Sequence, residues 1–208
     1  MKKIFTLIAM AAMTIGANAA DSFAVSSNDT PGTKITSVDG ITVTFLNSNK
    51  DCDAITWALK GGGNKEAVTV DDVALNGKSY EPSANGGIIT IATTKAGKLD
   101  IFVGGTVATT KSVNMTDDAD NGLTATVFST GATIANGESP AAEIAAYDAL
   151  VYNLEANKTY TFFIGGTKWR FAGVKYVSGE GGGTVDPGTT TETNPQIISW
   201  SEAKAKGS

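Results

Sequence analysis

Ile41-Thr42-Val43-Thr44-Phe45 alternates apolar and hydroxyl side chains at every step. A period of two places Ile41, Val43 and Phe45 on one face of an extended chain and both threonines on the other, the pattern of a half-buried β-strand. Ile55-Thr56-Trp57-Ala58-Leu59 repeats it. Working outward, further strands are expected over 66–70, 87–92, 98–103, 112–115, 123–128, 150–154, 159–164 and 169–177. Asn76-Gly77, Asn121-Gly122 and Asn136-Gly137 offer the positive φ that tight hairpins need. Short strands punctuated this often read as an all-β fold, an antiparallel β-sandwich of jelly-roll type. One segment breaks the pattern. Ser139-Pro140, followed by Ala141-Ala142-Glu143-Ile144-Ala145-Ala146-Tyr147, has a cap residue and a proline at the first helical position, which allows one short helix near 140–147.

The front of the chain is of another kind. Lys2 and Lys3 precede an apolar run from Ile4 to Gly16, and Ala17-Asn18-Ala19 follows. A positive start, a short apolar stretch and an A-x-A exit make residues 1–19 a secretory signal peptide, cut after Ala19. The run is too short to span a bilayer, so no membrane insertion is expected. No cysteine follows the cut, and a lipid-anchored start is not expected either. The compact peptide suggests a bacterium; export from a Gram-negative cell, to the outside or to its surface, is the expected destination, with the periplasm as the alternative.

Composition excludes several chemistries. Without Lys2 and Lys3, 14 of the 16 basic residues remain against 21 acidic ones, a net charge of about −7. Such a surface repels phosphate backbones, so nucleic acid is not an expected partner. With no histidine, Ser-His-Asp and Cys-His catalysis and histidine zinc sites are out of reach. Cys52 is the only cysteine, so no internal disulfide forms, and a buried thiol is its expected role.

Two stretches resemble one another. Ala96-Gly97-Lys98 leads through a strand to Phe102-Val103-Gly104-Gly105-Thr106, and Ala156-Asn157-Lys158 leads through another to Phe163-Ile164-Gly165-Gly166-Thr167. Neither glycine pair opens a helix or carries a P-loop pattern, so phosphate cradling is not the reading. Equivalent strands of a pseudo-symmetric sandwich are.

After this module, 20–178, the sequence changes character. Residues 179–195 are rich in Gly, Thr, Glu and Pro and hold almost nothing apolar, the composition of a flexible linker. Residues 196–208 contain Ile197-Ile198-Ser199-Trp200, expected to open a following, truncated domain that the linker tethers.

The stretches Leu154-Glu155-Ala156-Asn157-Lys158-Thr159-Tyr160-Thr161-Phe162 and Trp169-Arg170-Phe171-Ala172-Gly173-Val174-Lys175-Tyr176 resemble a recurrent closing hairpin. It occurs in jelly-roll modules, galactose-binding-like or carbohydrate-binding-like, of secreted Bacteroidetes glycan-degrading proteins, notably beside pectate-lyase-type domains. The likeness covers about 25 residues and, loosely, the strand layout. It implies a non-catalytic accessory module beside a glycan-active domain.

A sugar-binding module needs flat rings for the C–H faces of its ligand and a few polar groups for orientation. Trp57, Tyr80, Tyr147, Trp169 and Tyr176 are the rings to weigh; Trp57 shares a strand face with Ile55 and Leu59 and reads as core. Tyr80 beside Glu81-Pro82, Tyr147 in an irregular connection, and Trp169 at a strand entrance are the candidates. Arg170, the only arginine, could fork onto a uronate of a pectin-like polysaccharide, or pair with an Asp or Glu nearby. Asp117-Asp118-Ala119-Asp120 fails as an EF-hand, because Ala119 and Phe128 stand where ligands belong. A structural calcium on Asp117, Asp118 and Asp120 competes with a plain acidic turn; Asp51-Cys52-Asp53 and Asp71-Asp72 have less claim. No other cofactor is expected. A structural spacer or adhesin-like sandwich is the alternative function. A carboxylate enzyme is the third, requiring two acids about 5–10 Å apart across a cleft.

Overall fold

The structure, a computed structural model, describes residues 20–48, 54–61, 67–84, 86–104, 112–140, 144, 147–164 and 169–179. Residues 1–19, Cys52 with its flanking acids, Gly165–Lys168 and residues 180–208 lie outside them, and with them the expected signal peptide, nearly all of the expected linker and the tail. Fourteen strands follow in order: β1 (Ala20–Ala24), β2 (Ile41–Phe45), β3 (Trp57–Gly61), β4 (Val68–Val70), β5 (Val73–Leu75), β6 (Lys78–Pro82) and β7 (Gly87–Thr93). Then come β8 (Gly97–Gly104), β9 (Val113–Thr116), β10 (Ala125–Val127), β11 (Thr133–Ile134), β12 (Asp148–Leu154), β13 (Thr159–Ile164) and β14 (Arg170–Ser178).

They build an antiparallel β-sandwich. The larger sheet runs β11-β10-β12-β8-β14-β6-β3, and the smaller β2-β7-β13-β9. One edge of β14 pairs with β8; the other is shared by β6, at Phe171 with Tyr80, and β1, from Gly173 to Val177. A bulge between Phe171 and Gly173 marks the handover. The alternation of Ile41–Phe45 does what its period dictates. Ile41, Val43 and Phe45 are buried between the sheets, while Thr42 and Thr44 are only half-buried. Leu99, Ile101 and Val103 of β8 meet Tyr160, Phe162 and Ile164 of β13 in the same core. No helix occurs among the described residues. Residues 141–143 and 145–146, within the stretch where one was expected, lie outside them; Tyr147 has φ +65°, which no right-handed helix accommodates.

A third layer was not anticipated. β4 and β5 form a small hairpin of their own, with Val70 opposite Val73. Asp71 and Asp72 both take positive φ, +43° and +63°, the backbone of a two-residue type I′ turn. The hairpin packs on the outer face of the large sheet. There Val70, Val73 and Leu75 join Phe102, Ala149, Ala172 and Tyr147 in a second apolar cluster. Asn76-Gly77, with Gly77 at φ +68°, therefore links this hairpin to β6 and does not close a hairpin itself. In the Asn121-Gly122 turn the positive φ falls on Asp120, at +61°.

Candidate functional site

The aromatic candidates are in the core. Trp169 is 1% exposed; it stands two residues before Phe171, and the period of two turns both rings inward. Tyr80 is as deeply placed and packs edge-on to Phe45, with ring centroids 5.4 Å apart. Tyr147 belongs to the second apolar cluster. Trp169, Tyr80 and Tyr147 thus form no exposed stacking platform, a correction to their expected role as sugar-facing rings. Arg170 points the other way. Its guanidinium pairs with Glu81 on the neighbouring strand, and Lys60 Nζ lies 3.8 Å from the second oxygen of Glu81. The arginine weighed as a uronate ligand is met by a carboxylate of the protein itself.

The acidic loop is likewise self-satisfied. Asp117 Oδ1 accepts the N–H groups of Ala119 at 2.9 Å and Asn121 at 2.8 Å, and its Oδ2 accepts the Asn121 side-chain amide at 3.0 Å. These bonds, the Asn121 side chain first, hold the Asp117 carboxyl below its usual range. Lys158 Nζ lies 3.8 Å from both Asp117 and Asp118. Asp117, Asp118 and Asp120 do not converge: no group of three or more potential metal ligands is found among the described residues. The geometry is that of an Asx turn neutralised by a lysine.

One of the candidates nevertheless borders a concavity. Between β1 and the segment leading to β2, a cavity of about 320 Å³ opens to solvent. Its apolar part is the half-buried Phe23 with Ile35 and Tyr80. Its polar part comes from the loop, chiefly Asn28, Asp29, Thr30 and Lys34. The loop is shaped by its own side chains. Asp29 Oδ2 accepts the Ser26 N–H at 2.7 Å, Thr33 donates its hydroxyl to the Thr30 carbonyl at 2.8 Å, and Gly32 turns at φ +76° beneath Trp57. Trp57 is fixed by an indole N–H bond to the Leu46 carbonyl, 3.0 Å. Burial, and then the charge of Asp29, pushes the Tyr80 phenol up to about 12, so it keeps its proton at neutral pH.

The cavity offers hydroxyls, an amide, one carboxylate and one ammonium around an aromatic edge. Among the described residues Asp29 is the one acid lining it. Sequence patterning passed this loop over because residues 26–37 lack apolar periodicity. The visible signal was turn chemistry, Asn28-Asp29-Thr30-Pro31-Gly32, which marks a loop without naming a ligand. Among the described residues no helix is long and apolar enough to cross a membrane. No protein-family model matches this chain, and none of the curated proteins matches its sequence.

Proposed function

We propose that residues 20–178 are a secreted, non-catalytic carbohydrate-binding module that keeps a tethered, glycan-active domain close to its polysaccharide. The observation that carries the reading is the cavity over Tyr80. Its volume suits one or two sugar rings, and its lining pairs an aromatic edge with several hydroxyl and amide groups. The signal-peptide pattern of 1–19 supports export from a Gram-negative cell, and the composition of 179–195 supports a tether that raises effective concentration. Lys34 is the cation lining the cavity, so a pectin-type uronate is the first ligand to try. It takes the role first considered for Arg170, whose charge Glu81 already meets.

The test is a glycan array followed by calorimetry on the mature chain, 20–208. Lys34→Ala and Tyr80→Phe leave the core volume nearly intact, and each is expected to weaken binding about tenfold, roughly 1.4 kcal/mol. A blank array, or affinities unmoved by both substitutions, overturns the proposal. The second reading, a structural spacer, then stands. It is favoured by the near-complete burial of Trp169 and Tyr176, rings that a binding platform would display.

A further inference from the structure

Two buried aspartates of the large sheet are treated very differently. Asp148, 5% exposed, receives the N–H groups of Ala149 and Ser129 and the Ser129 hydroxyl. Asp100, 0% exposed, has no hydrogen-bond partner for either oxygen. Buried carboxylates are ordinarily satisfied, because leaving one bare costs several kcal/mol. The exception sits at the polar margin of the β4–β5 hairpin.

Across the sheet Asp100 stands directly opposite Lys175 of β14. Lys175 does not serve it. Its ammonium donates instead to the hairpin turn, to Asp71 Oδ2 at 2.7 Å and to the Asp71 carbonyl at 2.9 Å. Lys98 Nζ lies between the two acids, 3.8 Å from Asp71 Oδ2 and 3.7 Å from Asp100 Oδ2, beyond hydrogen-bond contact with either. From the remaining neighbours, β12 places Val151 opposite Asp100 and β1 places Ser22 opposite Lys175, both uncharged. Asp72 completes the turn. The hairpin is thus tied to the sheet by a close ion pair from Lys175 and a looser one from Lys98, both to Asp71, by the apolar contacts of Val70, Val73 and Leu75, and by whatever state Asp100 adopts.

We propose that the β4–β5 hairpin is a proton-latched flap: a proton on Asp100, donated toward Asp71, holds it down over Phe102, Ala149 and Ala172, and loss of that proton releases it. With both acids ionised, Asp100 is a buried charge without a hydrogen bond, met only by Lys98 at 3.7 Å and repelled by the Asp71 carboxylate. With Asp100 neutral, its O–H satisfies one buried oxygen and adds a donor to the carboxylate that Lys175 already holds.

The direction in pH follows. Burial first, then the Asp71 carboxyl, pushes Asp100 up to about 7 in the docked hairpin, while a released carboxyl returns toward 3.8. The docked form binds this proton more tightly, so its contribution is complete below about pH 4 and is lost as pH rises through about 7. Asp71 moves oppositely. The proton offered by a neutral Asp100, and then Lys175, hold it below 3.8, so its contribution is lost only as pH falls beneath that value. Firm docking belongs between about pH 4 and 7.

Hydrogen exchange of the mature chain, corrected for intrinsic rates, tests this at pH 5.5 and 8.5. Protection over 68–75 is expected to fall about thirtyfold at the higher pH, the proton-linkage factor for a pKa near 7, with 159–164 unchanged. Asp100→Asn, which keeps shape and carries no titrating proton, should abolish the difference. Constant protection in the wild type, a loss shared equally by 159–164, or a loss that survives Asp100→Asn overturns the proposal. If that variant does not fold, NMR titration of the Asp100 carboxyl in the wild type decides, a midpoint below 5 being fatal.

Discussion

β8 and β13 carry the two copies of the internal repeat, and the largest difference between them lies on their outer faces. Each is an inner strand of its sheet, and the two sheets oppose each other. Each follows a turn that carries the chain across the sandwich, from β7 to β8 and from β12 to β13, while β7 pairs with β13 and β8 with β12. Each turn is held by a tyrosine hydroxyl: Tyr176 donates to the Lys95 carbonyl at 2.6 Å, and Tyr160 accepts the Glu155 N–H at 2.8 Å. Facing inward, Leu99, Ile101 and Val103 match Tyr160, Phe162 and Ile164, all buried. Facing outward, Asp100 and Phe102 are buried, whereas Thr161 is exposed and Phe163 only half-buried. The repeat encodes the shared core. What covers the outer face is decided elsewhere in the chain, by the β4–β5 hairpin.

The sharpest way to break this comparison is to truncate the equivalent phenylalanines. Phe102→Ala opens a cavity in the second apolar cluster and is expected to cost about 3–5 kcal/mol. Phe163→Ala removes a ring that still meets water and should cost about 1 kcal/mol. Urea unfolding of both variants measures the gap. Equal losses would mean that the hairpin protects nothing, and that the layer beneath it is incidental.

This contrast also shows what could be read from the sequence. The inner faces were legible, because a period of two is local and both copies obey it. Of the outer layer only β4, within the strand expected over 66–70, was. Val73-Ala74-Leu75 is too short to announce a strand, and nothing in Asp71-Asp72 signals that both residues turn through positive φ. Trp169 could have been placed inward by counting back two from Phe171, but its position at a strand entrance suggested an accessible ring. The partner of Arg170, Glu81, lies 89 residues earlier, beyond any local pattern. The cavity loop, read as punctuation, showed its concavity only once Tyr80 and Phe23 were brought beneath it.

A smaller effect sharpens the comparison at the turns, where Gly97 and Asn157 hold the same place in the two copies. Gly97 already lies within β8, between Leu154 and Ser178 of its neighbours. A methyl group there would stand 2.5 Å from the Val177 carbonyl oxygen and 2.7 Å from the Tyr176 ring. Gly97→Ala is therefore expected to cost about 1–3 kcal/mol through overpacking, and to weaken the Tyr176 bond to Lys95. A thermal scan with no shift would show that Tyr176 can move aside.

Asn157 answers a different demand with a different residue. It turns at φ +57°, in the left-handed region where a side-chain amide is tolerated and a plain methyl is disfavoured. Closure of this turn depends on Thr93, whose hydroxyl donates to the Glu155 carbonyl at 2.7 Å and accepts the Lys158 N–H at 3.1 Å. That clamp leaves the backbone angle, rather than packing, as what residue 157 must satisfy. Asn157→Gly should thus change stability by only a few tenths of a kcal/mol, while Asn157→Ala should cost about 1 kcal/mol. The order is the reverse of Gly97, where a side chain has no room and the backbone makes no special demand. Were glycine at 157 as damaging as alanine, the Asn157 amide itself would be part of the turn, and the two copies would differ in chemistry as well as in cover.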